Sequence, residues 1–160
     1  MSFDARSLVL PATNPARLIR SAGGELVVAF KAAAGADLAV YAYCGPIRQF
    51  SAAALTKARI GVFTTATSGN HHFRLNFAAV KAGESLASGP AFSATNVDFA
   101  VTAVPNSASV MQVIEVTVPV AALDGLVEGD ELVARLSLID SDSTVAADML
   151  LRWLELRQEL

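Results

Sequence analysis

Leu132-Val-Ala-Arg-Leu-Ser-Leu-Ile139 alternates in steps of two. Leu132, Ala134, Leu136 and Leu138 fall on one face of an extended chain, and Val133, Arg135, Ser137 and Ile139 on the other. A period of two with one wholly apolar face marks a strand lying on a core. An acidic bridge, Asp140 to Asp148, leads to Met149-Leu-Leu-Arg-Trp-Leu-Glu-Leu156. There Leu150, Leu154 and Leu156 are expected on one side, and Met149, Leu151 and Trp153 on the other. The two runs, joined by Asp, Ser and Thr, read as paired antiparallel strands, one of them apolar on both faces. Met149, Trp153, Leu156 and Leu160 also fall at helical spacing, which leaves a terminal helix beyond about residue 156 as an alternative.

Working outward, the same alternation recurs. His72–Val80 places Phe73, Leu75, Phe77 and Ala79 inward, with His72, Arg74 and Asn76 outward. Val97–Val104 alternates Val97, Phe99, Val101 and Ala103 against Asp98, Ala100 and Thr102, and Val110–Val118 is rich in β-branched residues. Leu26–Phe30, Leu38–Tyr43 and Arg59–Thr65 add further strands, with Tyr41 and Tyr43 on one face. Gln49 to Lys57 contains good helix formers and is expected to form one short helix. Gly23-Gly24, Gly45-Pro46, Thr67-Ser-Gly-Asn70, the glycine- and serine-rich Gly83–Pro90 and Pro105-Asn106 punctuate the series. Eight or nine short strands with little helix predict an all-β, two-layer antiparallel sandwich, a jelly roll of about eight strands. Residues 1–14 are expected to be an extended N-terminal arm and 15–160 a single domain. Proline at positions 11 and 15 confines Ser7–Pro11 to a sheet edge or an arm.

The chain has 160 residues, 53% of them apolar and 17% charged, with a net charge of −3. That charged fraction is below the usual quarter or so of a soluble chain, which favours a homo-oligomer with apolar surface buried between copies. The near-neutral balance, without basic clusters, argues against nucleic acid and against anionic membranes as partners. No apolar run approaches the roughly 20 residues of a spanning helix. Cys44 is the only cysteine, so no intrachain disulfide forms, and the N-terminus lacks a secretory pattern. A soluble protein that folds in a reducing cytoplasm is expected.

Residue chemistry gives no catalytic constellation. Asp140-Ser-Asp-Ser-Thr144 lacks the glycine and terminal glutamate of an EF-hand loop, those places being held by Val145 and Leu151, and reads as a solvated turn. His71 and His72 are neighbours on a strand and point to opposite faces, so they do not chelate one metal. Cys44 has no adjacent base and reads as a small apolar side chain. Gly23-Gly24 lacks the context of a phosphate loop. Tyr41, Tyr43 and Trp153 are candidates for a sugar-stacking platform. No cofactor or metal is expected, and the scarcity of histidine disfavours a cupin-like enzyme.

Two segments carry a family resemblance. Phe3-Asp-Ala-Arg-Ser-Leu-Val-Leu-Pro-Ala-Thr-Asn-Pro-Ala16 near the start, and Glu128-Gly-Asp-Glu-Leu-Val-Ala-Arg-Leu-Ser-Leu-Ile-Asp-Ser-Asp142 with its following strand, resemble small virion structural proteins of tailed bacteriophages. The resemblance implies a non-enzymatic jelly-roll virion component made in the host bacterial cytoplasm. It would bind the major capsid protein or another virion protein as a decoration (cement) protein, commonly as a trimer. The arm residues Phe3, Arg6, Leu8, Leu10, Pro11 and Asn14 would then reach a partner by strand addition. The alternative is a spike or tail-fibre adhesin that binds host glycans through Tyr41 and Tyr43.

Overall fold

The computed structural model describes residues 2–4, 8–12, 15–32, 34–47, 55–84 and 89–159. In chain order the strands begin with β1 (Ser2–Asp4), β2 (Leu8–Val9), β3 (Arg17–Arg20), β4 (Leu26–Phe30) and β5 (Leu38–Pro46). They continue with β6 (Leu55–Phe63), β7 (Asn70–His71), β8 (Phe73–Val80) and β9 (Val97–Asp98). The last are β10 (Thr102–Ala103), β11 (Gln112–Val118), β12 (Glu131–Leu138) and β13 (Met149–Glu159). One sheet runs β11-β6-β13-β4-β3 with β1 also paired to β13, and a facing sheet runs β2-β5-β12-β8-β9. All of these strand pairings are antiparallel. From β4 to β6 and again from β11 to β13 the chain steps from one sheet to the other with each strand, the winding of a jelly-roll sandwich.

The layers close on one another because the inward sets meet. Leu132, Ala134, Leu136 and Leu138 of β12 and Phe73, Leu75, Phe77 and Ala79 of β8 share one buried cluster with Val28, Phe30, Ile60 and Val62 of the opposite sheet. Phe30 and Phe73 meet edge to face across the layers, ring centroids 5.3 Å apart. Each such side chain, fully removed from water, contributes roughly 1.5–3 kcal/mol. Much of the high apolar content is therefore placed inside. Two further small clusters, Val27, Ala29 and Leu150 on one outer face and Ala78, Val80 and Val133 on the other, bury more of it.

Several local expectations are corrected. β12 and β13 do not pair with each other: β12 lies between β5 and β8, and β13 between β4 and β6, in opposite sheets. Each strand is apolar enough to need neighbours on both sides, so the two face one another across the core instead of sharing a ladder. A bulge between Leu151 and Trp153 absorbs Arg152 and reverses the side-chain alternation. Met149, Leu151, Leu154 and Leu156 consequently share the core side, while Leu150 packs in the outer cluster. Strand β13 continues to Glu159, so the terminal-helix alternative falls.

The expected strand at 97–104 breaks after Asp98, where the Thr102 hydroxyl donates to the Ala100 carbonyl and the chain turns out to meet β7. The expected helix at 49–57 lies largely outside the described residues, and its end, Leu55 to Lys57, is strand.

The N-terminal segment runs along its own domain: the backbone of Phe3 pairs opposite Leu154, and Leu8 and Val9 pair opposite Ala42 and Tyr41. Leu8 packs on the core and Leu10 is exposed. Arg6 and Asn14 lie outside the described residues.

Candidate functional site

Alternation along β5, β12 and β8 sends every second side chain to the outer face of the five-stranded sheet. Register then sets these residues side by side. Arg135 of β12 stands opposite Tyr41 of β5 on one flank and opposite Asn76 of β8 on the other. One step along, Ser137 stands between Ala39 and Arg74, and Arg74 opposite Asp98. These two rows form the floor of a groove of about 250 Å³, also lined by Pro11, Asp37, Asn96 and Ile139. With strands about 4.8 Å apart, the row from Tyr41 to Asn76 spans roughly 10 Å.

Fixed contacts hold the groove's polar groups. Asn76 Nδ2 donates to Asn96 Oδ1 at 2.6 Å, which leaves Asn76 Oδ1 to accept from Arg135 Nη2 at 3.0 Å. The Arg135 guanidinium lies over the Phe92 ring, 4.5 Å from its centroid, and the Tyr41 ring also meets Phe92, tilted, with centroids 5.3 Å apart. Tyr43 stands beside Tyr41 at 6.4 Å and is exposed. Partial desolvation where the ring meets the sheet, with Tyr41 and Glu131 nearby, raises the Tyr43 phenol above its ordinary value, so it stays a neutral hydrogen-bonding group.

At the other end Arg74 grips Asp98 through Nε at 2.6 Å. His72 Nδ1 donates to Asp142 Oδ2 at 2.7 Å, and that bond holds the Asp142 carboxyl below its usual range. The bridge between β12 and β13 is thereby tied down. Its other acids also receive hydrogen bonds, Asp140 from the Ala34 amide and Asp148 from the Ala32 amide. Among the described residues, no group of three or more His, Cys, Asp or Glu side chains is arranged to hold a metal ion.

No family model and no curated protein matches the chain. Solved structures do. The chain is similar to the CBM22-1 xylan-binding domain of Xyn10C from Paenibacillus barcinonensis, with a TM-score of 0.54 and 9% identity. That match covers 99% of this chain and 92% of the other. It is also similar to the CBM22-1 and GH10 modules of endo-1,4-β-D-xylanase 10B from Clostridium thermocellum, solved with xylohexaose. There the TM-score is 0.50 with 9% identity, over 99% of this chain and 27% of that one.

These neighbours overturn the expectation of a phage capsid decoration protein. The fold likeness is to carbohydrate-binding modules. The segments that resemble virion proteins include β1, β2, β12 and β13, part of the framework of the sandwich itself.

The three aromatic candidates are separated. Tyr41 and Tyr43 share the groove face, whereas Trp153 lies on the outer face of the opposite sheet, its indole seated directly on Gly61. Burial pushes the Cys44 thiol up to about 12, and it packs against the main core as an inert side chain. His71 and His72 take different partners, Gln112 for the first and Asp142 for the second.

Phe92, Asn96 and the pairing of Arg135 with Asn76 escaped the sequence reading. The one available signal was that Arg74, Asn76, Arg135 and Ser137 occupy the polar positions of strands whose other face is wholly apolar.

Proposed function

We propose that this domain is a carbohydrate-binding module that holds a polysaccharide segment on the outer face of its five-stranded sheet. The observation that carries the reading is the groove itself. One aromatic side chain, Tyr41, borders a comb of hydrogen-bonding groups, Arg135, Asn76, Ser137 and Arg74, set on adjacent strands at fixed spacing. Sugars present apolar ring faces and a fringe of hydroxyls, so a site for them combines an aromatic surface with rigid donors and acceptors. The fold it shares with xylan-binding modules supports the same reading.

Binding without cleavage fits the groove's composition, because hydrolysis of a glycosidic bond ordinarily uses two facing carboxyl groups and, among the described residues, Asp37 alone supplies one to the lining.

Titration calorimetry with xylohexaose, soluble xylan and mixed-linkage glucan tests the proposal. Binding of at least one, weakened by Tyr41→Ala with the fold intact by circular dichroism, is the expected result. Silence across a broad polysaccharide panel, or binding indifferent to Tyr41→Ala, would refute it.

A further inference from the structure

Resting on that reading of the groove, we propose that the domain selects glycans bearing a carboxylate, such as uronic acid side groups, and that Arg135 receives the acid. Arg135 sits at the centre of the groove floor, half-buried, and among the described residues no carboxylate lies within ion-pair distance of it. The other groove arginine, Arg74, is matched by Asp98. Arg17, Arg59 and Arg152 elsewhere on the surface are matched by Asp148, Glu155 and Glu25. A partly desolvated cation without a counter-charge is costly, and a ligand anion relieves that cost.

The geometry prepares the guanidinium for such a ligand. Phe92 supports its plane from one side and Asn76 accepts from Nη2, so the side chain is held before anything binds. Arg135 Nε is buried without a hydrogen-bond partner, so the protein itself leaves this cation incompletely satisfied. Nη1 has no partner among the described residues and remains for a ligand oxygen, with the second hydrogen on Nη2 beside it. That edge matches the two oxygens of a carboxylate.

The acids of the neighbourhood do not cancel the charge. Asp37 lies at one end of the groove and Glu131 beyond its lining, each about four residues along the strands from the Arg135 row, or roughly 13 Å of backbone at 3.3 Å per residue. Neither forms an ion pair with Arg135, and at such a backbone separation salt weakens what attraction remains. Asp98 is already engaged by Arg74 at 2.6 Å.

The test compares three ligands of equal backbone length by calorimetry on the intact domain. They are an unsubstituted xylo-oligosaccharide, one bearing a single glucuronic acid, and the same compound with its carboxyl reduced to the alcohol. The acid should bind roughly tenfold tighter than its reduced form, with the advantage shrinking in high salt. Arg135→Gln should weaken the acid more than the neutral ligands, and Arg135→Lys should restore only part of the preference because it lacks the planar fork.

Equal affinities of the wild-type domain for acid and reduced ligand would overturn the inference while the glycan-binding reading stands. So would a preference that persists in a folded Arg135→Gln variant. Binding of none of the three, nor of other polysaccharides, would remove the reading itself. The wild-type comparison needs no variant to fold.

Discussion

The two outer faces of the sandwich are made from the same kinds of residue and do different things. On the six-stranded sheet, Arg59 is bracketed by Glu115 and Glu155, and Lys57 also reaches Glu115. The indole of Trp153 covers Gly61, and Phe63 packs with Val27, Ala29 and Leu150. Cations there meet carboxylates and the indole lies against backbone; a groove of about 260 Å³ also opens beside Phe63, but its arginine, Arg152, is already paired with Glu25. On the five-stranded sheet, Arg135 meets an amide and an aromatic ring, and a groove opens beside Tyr41. The difference lies in what each register sets opposite an arginine. An acid closes the surface, whereas an amide leaves a cation for a ligand.

The comparison is broken most directly at Gly61. A Cβ there would overlap the Trp153 indole at Cε2 and Nε1, so Gly61→Val must evict the ring or part the strands. Overpacking of this kind costs about 1–3 kcal/mol, which urea denaturation would read, and glycan affinity of the folded protein should be unchanged. A larger loss of binding than of stability would show that the two faces are not independent.

Next in size is Tyr41→Ala, expected to weaken glycan binding by about tenfold, or 1.4 kcal/mol, in calorimetry. If Trp153→Ala has the larger effect on binding, the assignment of faces is reversed.

A third test addresses the core that both faces share. His71 is fully buried, donates from Nε2 to Gln112 at 3.1 Å and leaves Nδ1 unpartnered. Burial lowers its pKa below the ordinary value of 6.5, so the folded state prefers the neutral ring. The unfolded chain then binds the proton more readily. The stability that His71 contributes is complete above about pH 6.5 and is lost as pH falls below it toward the depressed folded value. Thermal melts from pH 7.5 to 5.5 should therefore show a declining midpoint, flattened in His71→Leu.

The smallest effect is expected for Glu155→Gln on the closed face. Its pairing with Arg59 at 3.3 Å is partly exposed, and Arg59 keeps Glu115, so stability should change by about 1 kcal/mol or less. An effect several times larger would mean that the closed face is held by its charges rather than by packing.

Alternation made the strands legible. Phe73, Leu75, Phe77 and Ala79, and Leu132 through Leu138 in steps of two, were assigned to the core from pattern alone, and the structure buries all eight. The sandwich class followed from the number and spacing of such runs. Tyr41 and Tyr43 were legible as aromatic residues sharing one face of a strand, but which face that was did not follow from the pattern. Phe92 was hidden because nothing in Ala91-Phe-Ser93 says which surface a loop will fold over; the Ser93 amide settles that by donating to the Phe77 carbonyl at 2.7 Å.

Side-chain phase is a property of the pleat, two residues long, so any stretch of strand carries it within itself. Partner choice is a property of the whole chain. Whether β12 would pair with β13 or face it, and whether Arg135 would stand beside an acid or beside Asn76, depended on contacts 51 residues or more apart in sequence. The bulge at Arg152, which reverses the phase of the last strand, arises from fitting β13 between two neighbours. The polar positions were therefore visible in the sequence, but their assembly into a groove came from the packing of distant strands.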